Sequence, residues 1–206
     1  PEAFAEVRYL AHAKQMQALD LIPQVADEFR QIFGRDSGGL IKTYRLEDAE
    51  TVVIALGSVL GTIKDTVDEL RDQGVKIGVL GITSFRPFPI SDIRDATAHV
   101  KRVVVIEKCF AVGIGGIVSR DVRSAVRNRP QPVLTVVAGL GGRPITKASL
   151  TKLLNDAIAD KLELLTFLDL DWSIVNRVLE REKQQRRSGP IAENILRDLG
   201  PSAAGA

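Results

Sequence analysis

Cysteine is almost missing from this chain: Cys109 is the only one in 206 residues. One thiol excludes an internal disulfide framework and any all-cysteine iron–sulfur site held by this chain alone. Histidine is nearly as scarce, and His12 and His99 stand too far apart to suggest a zinc site. No apolar run approaches the roughly 18 residues that a membrane-spanning helix needs, and nothing reads as a signal peptide. A formal charge of +2 is too small to announce a nucleic-acid surface. Paired carboxylates in a turn, an acidic magnesium motif and the Gly-Lys-Ser/Thr of a Walker loop are absent as well. What remains, 45% hydrophobic by composition, suffices for one core of ordinary size plus an appended helical segment. The expected compartment is a reducing cytoplasm. The sequence starts at Pro1 without a methionine, and we read it as the back portion of a longer polypeptide.

Four short β-branched runs lie within residues 44–146: Thr51-Val-Val-Ile-Ala-Leu56, Val75-Lys-Ile-Gly-Val-Leu80, Arg102-Val-Val-Val-Ile-Glu107 and Pro132-Val-Leu-Thr-Val-Val137. The turns that follow are Gly57-Ser58, Phe85-Arg-Pro-Phe-Pro89, Gly113-Ile-Gly-Gly116 and Gly139-Leu-Gly-Gly-Arg-Pro-Ile-Thr146. Near-continuous apolar strands alternating with helical patterns predict an α/β fold, a doubly wound and mostly parallel sheet covered on both faces. In such folds ligands and partners meet the carboxyl ends of the strands. The helices are expected after Ser58, with Ile63, Val67 and Leu70 inward and Lys64 and Asp68 facing solvent. Others follow Pro89, with Ser91 as cap and Ile93 and Ala96 inward, and span residues 117–128, with Val118, Val122 and Val126 inward. The last begins at Ala148 behind a Thr146 cap, burying Leu150, Leu153, Leu154 and Ile158.

The flanks read differently. Residues 2–19 follow a helical period, and Pro23 fits the first turn of a second helix carrying Val25, Phe29, Ile32 and Phe33. These two helices make a connector over residues 1–39, and residues 40–46 form a short edge strand. The α/β domain is expected over residues 40–162. Residues 163–206 form a helical arm, broken at Ser188-Gly-Pro190, with a disordered end from Pro201. Such an arm has too little apolar surface to fold alone.

Each candidate site carries a plainer alternative. Gly57-Ser58 sits at a strand-to-helix turn, where Ser58 can cap the helix and nearby amides can face an anion; a structural turn explains it equally simply. At Gly113, Gly115 and Gly116 the backbone can approach a phosphate or carboxylate closely, as backbone amide donors, or form a contact between domains. The spacing does not match a dinucleotide fingerprint. Arg86, between two aromatics and two prolines, is a fixed charge that clamps an anion or enters an ion pair with a neighbouring domain. Cys109 has no histidine nearby to activate it and reads as inert. The run of basic residues 181–187 is most simply a solvated helix face.

Several segments then occur in one order: Phe33-Gly-Arg35, Tyr44-Arg-Leu-Glu-Asp-Ala-Glu50, Ala55-Leu-Gly-Ser58, Gly61-Thr62, Val67-Asp-Glu-Leu-Arg71, Phe85-Arg-Pro-Phe-Pro89 and Gly139-Leu-Gly-Gly-Arg143. Across roughly residues 2–150 this set resembles the alpha subunit of pyruvate:ferredoxin oxidoreductase and related 2-oxoacid:ferredoxin oxidoreductases, in their transketolase C-terminal-like domain. Lys108, Pro144 and Asp36-Ser37 depart from the family pattern. The resemblance implies a thiamine-diphosphate enzyme that decarboxylates a 2-oxoacid, pyruvate first among them, and makes an acyl-coenzyme A and CO2. Electrons would pass through [4Fe-4S] clusters to ferredoxin. It implies that thiamine diphosphate, Mg and the clusters are bound by other subunits or domains, and that this domain is noncatalytic, serving assembly and site shaping. No membrane or nucleic-acid partner is implied. The alternatives are a self-contained nucleotide- or CoA-binding module using the Gly113 turn, and an assembly domain of a transketolase-like 2-oxoacid dehydrogenase without clusters.

Overall fold

A computed structural model describes residues 2–185. It contains six strands in one sheet: β1 (Ile41–Tyr44), β2 (Thr51–Ala55), β3 (Ile77–Ile82), β4 (Arg102–Glu107), β5 (Val133–Val137) and β6 (Leu165–Phe167). Their order across the sheet is β1-β3-β2-β4-β5-β6, with every pair parallel except β1 against β3. The crossovers carry α2 (Val59–Asp72), α3 (Ile90–Ala96), α4 (Val118–Ala125) and α5 (Lys147–Ile158). All five residues of β2 and all six of β3 are buried, as a sheet covered on both faces requires.

Side-chain alternation along the strands divides the core into two layers. Val53 and Ala55 of β2 and Val104 and Ile106 of β4 point toward α2 and α5, meeting Ile63, Val67, Leu70, Leu150 and Leu154. Val52 and Ile54, with Val103 and Val105, point the other way and meet Ile93 of α3 and Val118 and Val122 of α4. Ile63, Val67 and Leu70 are fully enclosed, and each such burial contributes about 2 kcal/mol. The predicted inward residues of α4 and α5 are buried, except that Ala157 takes the place expected for Ile158. Thr146 caps α5, its side chain accepting from Ser149 N.

Several expectations fail for identifiable reasons. Residues 4–33 form one helix, α1 (Phe4–Phe33), and not two; Pro23 lies inside it. Proline there removes a single N–H donor, and neighbours without glycine carry the helix across the gap. None of the residues of α1 is buried. Ser58 and Ser91 do not cap by their side chains: Ser58 has helical dihedrals, and α3 begins at Ile90, before Ser91. Lys64 and Asp68 do not simply face water. Tyr44 Oη donates to both Asp68 oxygens at 3.0 and 2.9 Å, Arg45 Nε pairs with Asp68 at 2.8 Å, and Lys64 Nζ lies 5.2 Å from the Tyr44 ring centre. The edge strand therefore reaches across and binds the outer flank of α2.

The sheet also extends past residue 162, because β6 pairs with β5 through Thr135–Leu165, Val136–Thr166 and Val137–Phe167. The compact unit runs over residues 1–168, and a second unit begins at Asp169. Within that second unit, α6 (Trp172–Gln185) is started by Asp171, whose carboxylate accepts from Ser173 N, Ser173 Oγ and Ile174 N. The hydrogen bond from Ser173 holds the Asp171 carboxyl below its usual range. The predicted break at Ser188-Gly-Pro190, the helix after it and the disordered end lie outside the described residues.

Candidate functional site

The connection leaving β2 leads to β3 on one side, while that leaving β4 leads to β5 on the other. This divergence leaves a crevice beyond the carboxyl ends of β2 and β4, the position at which open α/β sheets take ligands. A cavity of about 90 Å³ occupies it, walled by Leu56, Val59, Ile106, Val118 and Ile145. Glu107, Lys108 and Cys109 continue β4 along its side. Lys108 and Cys109 are exposed, and among the described residues Lys108 has no carboxylate partner.

Glu107 governs the chemistry here, and sequence reading passed over it as the end of a strand. Its side chain is 5% exposed and turns back beneath the glycine-rich loop to accept from Ile117 N at 2.8 Å, Val118 N at 2.8 Å and Ser119 N at 3.0 Å. These are the free amides at the start of α4, which favour a negative charge. The expectation that the Gly113, Gly115 and Gly116 turn aims open amides at a ligand anion is therefore corrected: the amides that α4 directs there already hold an internal carboxylate. Gly116 is needed because a Cβ at that position would overlap Glu107 Oε1 and come within 2.6 Å of Ser119 Oγ. Gly115 has φ 109, a conformation that side-chain-bearing residues rarely adopt. Ala111 and Gly115 bridge each other, with Ala111 N donating to Gly115 O at 2.7 Å and Gly115 N to Ala111 O at 2.9 Å. This closes a small finger whose tip carries Val112, 88% exposed, and Ile114, 61% exposed.

Arg86 is held, but by its own domain. Its guanidinium donates to Asp121 of α4 at 2.7 Å and to Phe85 O at 2.7 Å, and lies 4.1 Å from the Phe85 ring centre. An ion pair of this kind was foreseen with a neighbouring domain; the carboxylate comes from within instead. Gly57 and Ser58 sit at the end of β2 with their carbonyls accepting from Leu60 N and Gly61 N. Arg86, Gly57, Ser58 and the Gly113–Gly116 turn thus share one edge of the sheet. So do the exposed apolar residues Leu56, Phe85, Val112, Ile114, Ile117 and Leu140. Apolar side chains are thus concentrated along an edge built of loops.

Residues 49–150 match the family model for pyruvate:ferredoxin oxidoreductase core domain II. The α/β core of this chain belongs to that family. Pyruvate synthase subunit PorA of Methanosarcina barkeri is 42% identical over 159 residues, covering 76% of this chain and 40% of the relative. Ketoisovalerate oxidoreductase subunit VorA of Pyrococcus horikoshii is 35% identical over 148 residues, covering 71% of this chain and 38% of the relative. The chain spans about two fifths of the length of these curated relatives. Among solved structures, 2-oxoglutarate:ferredoxin oxidoreductase from Magnetococcus marinus aligns with a TM-score of 0.45 and 19% identity, over 64% of this chain and 21% of that one.

The donor set does not fit an iron–sulfur cluster. Four cysteines are required for a [4Fe-4S] cluster and this chain has one. Among the described residues no three His, Cys, Asp or Glu side chains come together to hold a metal ion. Among them, too, no helix is long and apolar enough to cross a membrane.

Proposed function

We propose that this chain is a noncatalytic domain of the alpha subunit of a thiamine-diphosphate-dependent 2-oxoacid:ferredoxin oxidoreductase, with pyruvate as substrate and acyl-CoA and CO2 as products. Thiamine diphosphate, Mg and the [4Fe-4S] clusters belong to other domains or subunits of a cytoplasmic complex, and electrons leave through ferredoxin. The single observation that carries this reading is the carboxyl edge of the sheet. There the helix amides are neutralised internally by Glu107, while aliphatic side chains are left facing outward. An edge of that kind supports docking against another domain, with Arg86, Gly57, Ser58, Gly113, Gly115 and Gly116 lying along the contact. The family match and the similarity to PorA supply the identity of the assembly.

The self-contained nucleotide- or CoA-binding alternative needs free amide donors at the Gly113 turn, and Glu107 stands against it. The test is co-expression of the tagged 206-residue chain with the thiamine-binding and cluster-binding subunits of a PorA-type enzyme. A brown complex that oxidises pyruvate, from a chain inactive by itself, is the expected outcome. Keto-acid turnover by the chain alone, or saturable nucleotide binding without partners, would refute the reading.

A further inference from the structure

The cavity at the divergence of β2 and β4 opens on the edge proposed above for docking and shares Leu56 with it, and its composition is specific enough to name an occupant. Five aliphatic side chains form its walls, Leu56, Val59, Ile106, Val118 and Ile145, while polar groups are confined to β4 and the residues that follow it. Glu107 is turned toward the three amides at the start of α4 and bound by them. Lys108 is different. It lines the cavity, is exposed, and has no carboxylate partner among the described residues. Its Cε lies 3.0 Å from where a Gly139 Cβ would stand, so a side chain at 139 would push the lysine away from this position. A recess with aliphatic walls and, among the described residues, a cation without a carboxylate partner beside it is matched to a molecule with a short hydrocarbon tail and one negative head.

We propose that this cavity binds a short aliphatic carboxylate, its tail enclosed and its carboxylate paired with Lys108. Size fixes the tail. An apolar cavity of about 150 Å³ accepts the six carbons of benzene, so one of 90 Å³ takes three or four. The matching ligands are therefore butyrate and valerate, with three and four carbons beyond the carboxyl. Each enclosed methylene strengthens binding about fourfold.

Cys109, the only cysteine of the chain, lines the same cavity and is exposed, which makes it a reporter of occupancy rather than a ligand. The experiment measures the rate of alkylation of the full 206-residue chain by iodoacetamide in the presence of acetate, propionate, butyrate, valerate or hexanoate, at constant ionic strength. Occupancy slows the reaction by the factor 1 + [L]/Kd, about fourfold at three times Kd. The expected result is affinity rising about fourfold per carbon from acetate to butyrate and levelling after valerate. Butyrate should outcompete neutral butyramide, and Lys108→Gln should abolish that preference while keeping the dependence on tail length. Val59→Leu, which adds a methylene to the wall, should shift the levelling point one carbon shorter. Equal protection by acetate and butyrate, equal protection by acid and amide in the unaltered chain, or no protection by any of them overturns the proposal.

Discussion

Replacing Glu107 by alanine tests the assignment of the glycine-rich turn as an internally closed anion site. In the folded chain one carboxylate serves three amides, of Ile117, Val118 and Ser119, the last two of them buried. Alanine leaves these donors unpaired and removes the negative charge facing the start of α4. An unpaired buried donor costs about 1–3 kcal/mol, and relaxation of the turn lets part of that be recovered from water. The net loss is therefore about 3–5 kcal/mol, a large share of the 5–15 kcal/mol typical of a domain. Urea unfolding followed by circular dichroism reads it as a fall in midpoint at unchanged slope. Gly116→Ala should be comparably damaging on its own, because its methyl group collides with the Glu107 carboxylate. In the double variant that methyl enters the space the carboxylate has left. The two losses should therefore fall short of additivity by more than about 1 kcal/mol. A single-variant loss below about 1 kcal/mol, or strict additivity, would show that Glu107 does not organise this turn.

Three further outcomes can be checked independently. Gly78→Ala should cost about 3 kcal/mol or more by the same assay, since its Cβ would stand 2.5 Å from Arg45 O and 2.8 Å from Leu46 Cα, which are backbone atoms with little room to yield. Arg86→Ala removes a half-exposed pair with Asp121 and should change the chain's own stability by less than about 1 kcal/mol. Its effect should appear instead as weaker retention of partner subunits on a column, with thiamine chemistry in the residual complex unaltered; normal assembly with severely reduced turnover contradicts the docking role. Asp48 is held below its ordinary pKa chiefly by the hydrogen bond from Arg71, which also donates to Arg45 O and Ile77 O. A depressed folded pKa adds stability above the unfolded value and loses it as pH falls through the folded one. Asp48→Asn should thus lower stability by a roughly constant amount in the neutral region and flatten its fall below about pH 4, where the two chains converge, as pH-dependent melting would show.

The parts of this fold legible in the sequence are those set by local repetition. Strands β2 to β5 are buried on both faces, so their apolar residues run almost unbroken, and the helices between them show their inner faces through spacing alone. Thr146 was readable as a cap because its partner, Ser149, is three residues away. The misreadings share the opposite property. Ser58 and Ser91 have the right chemistry for capping but the wrong dihedrals or position, decided by how the preceding turn leaves the sheet. Asp68 and Lys64 appeared solvent-facing because Tyr44, which approaches them, precedes Asp68 by 24 residues. The short strand β6 became a strand only by pairing with β5. The glycine-rich turn is the most instructive case. Three glycines ahead of a helix look the same in sequence whether the anion is a ligand or a side chain of the same protein. The distinguishing signal was Glu107, an acid closing an otherwise apolar strand, whose burial sequence spacing alone does not disclose. Gly116 is glycine on account of that acid, nine positions earlier, and the base of a turn that resembles a ligand loop is in this chain closed by the protein's own carboxylate.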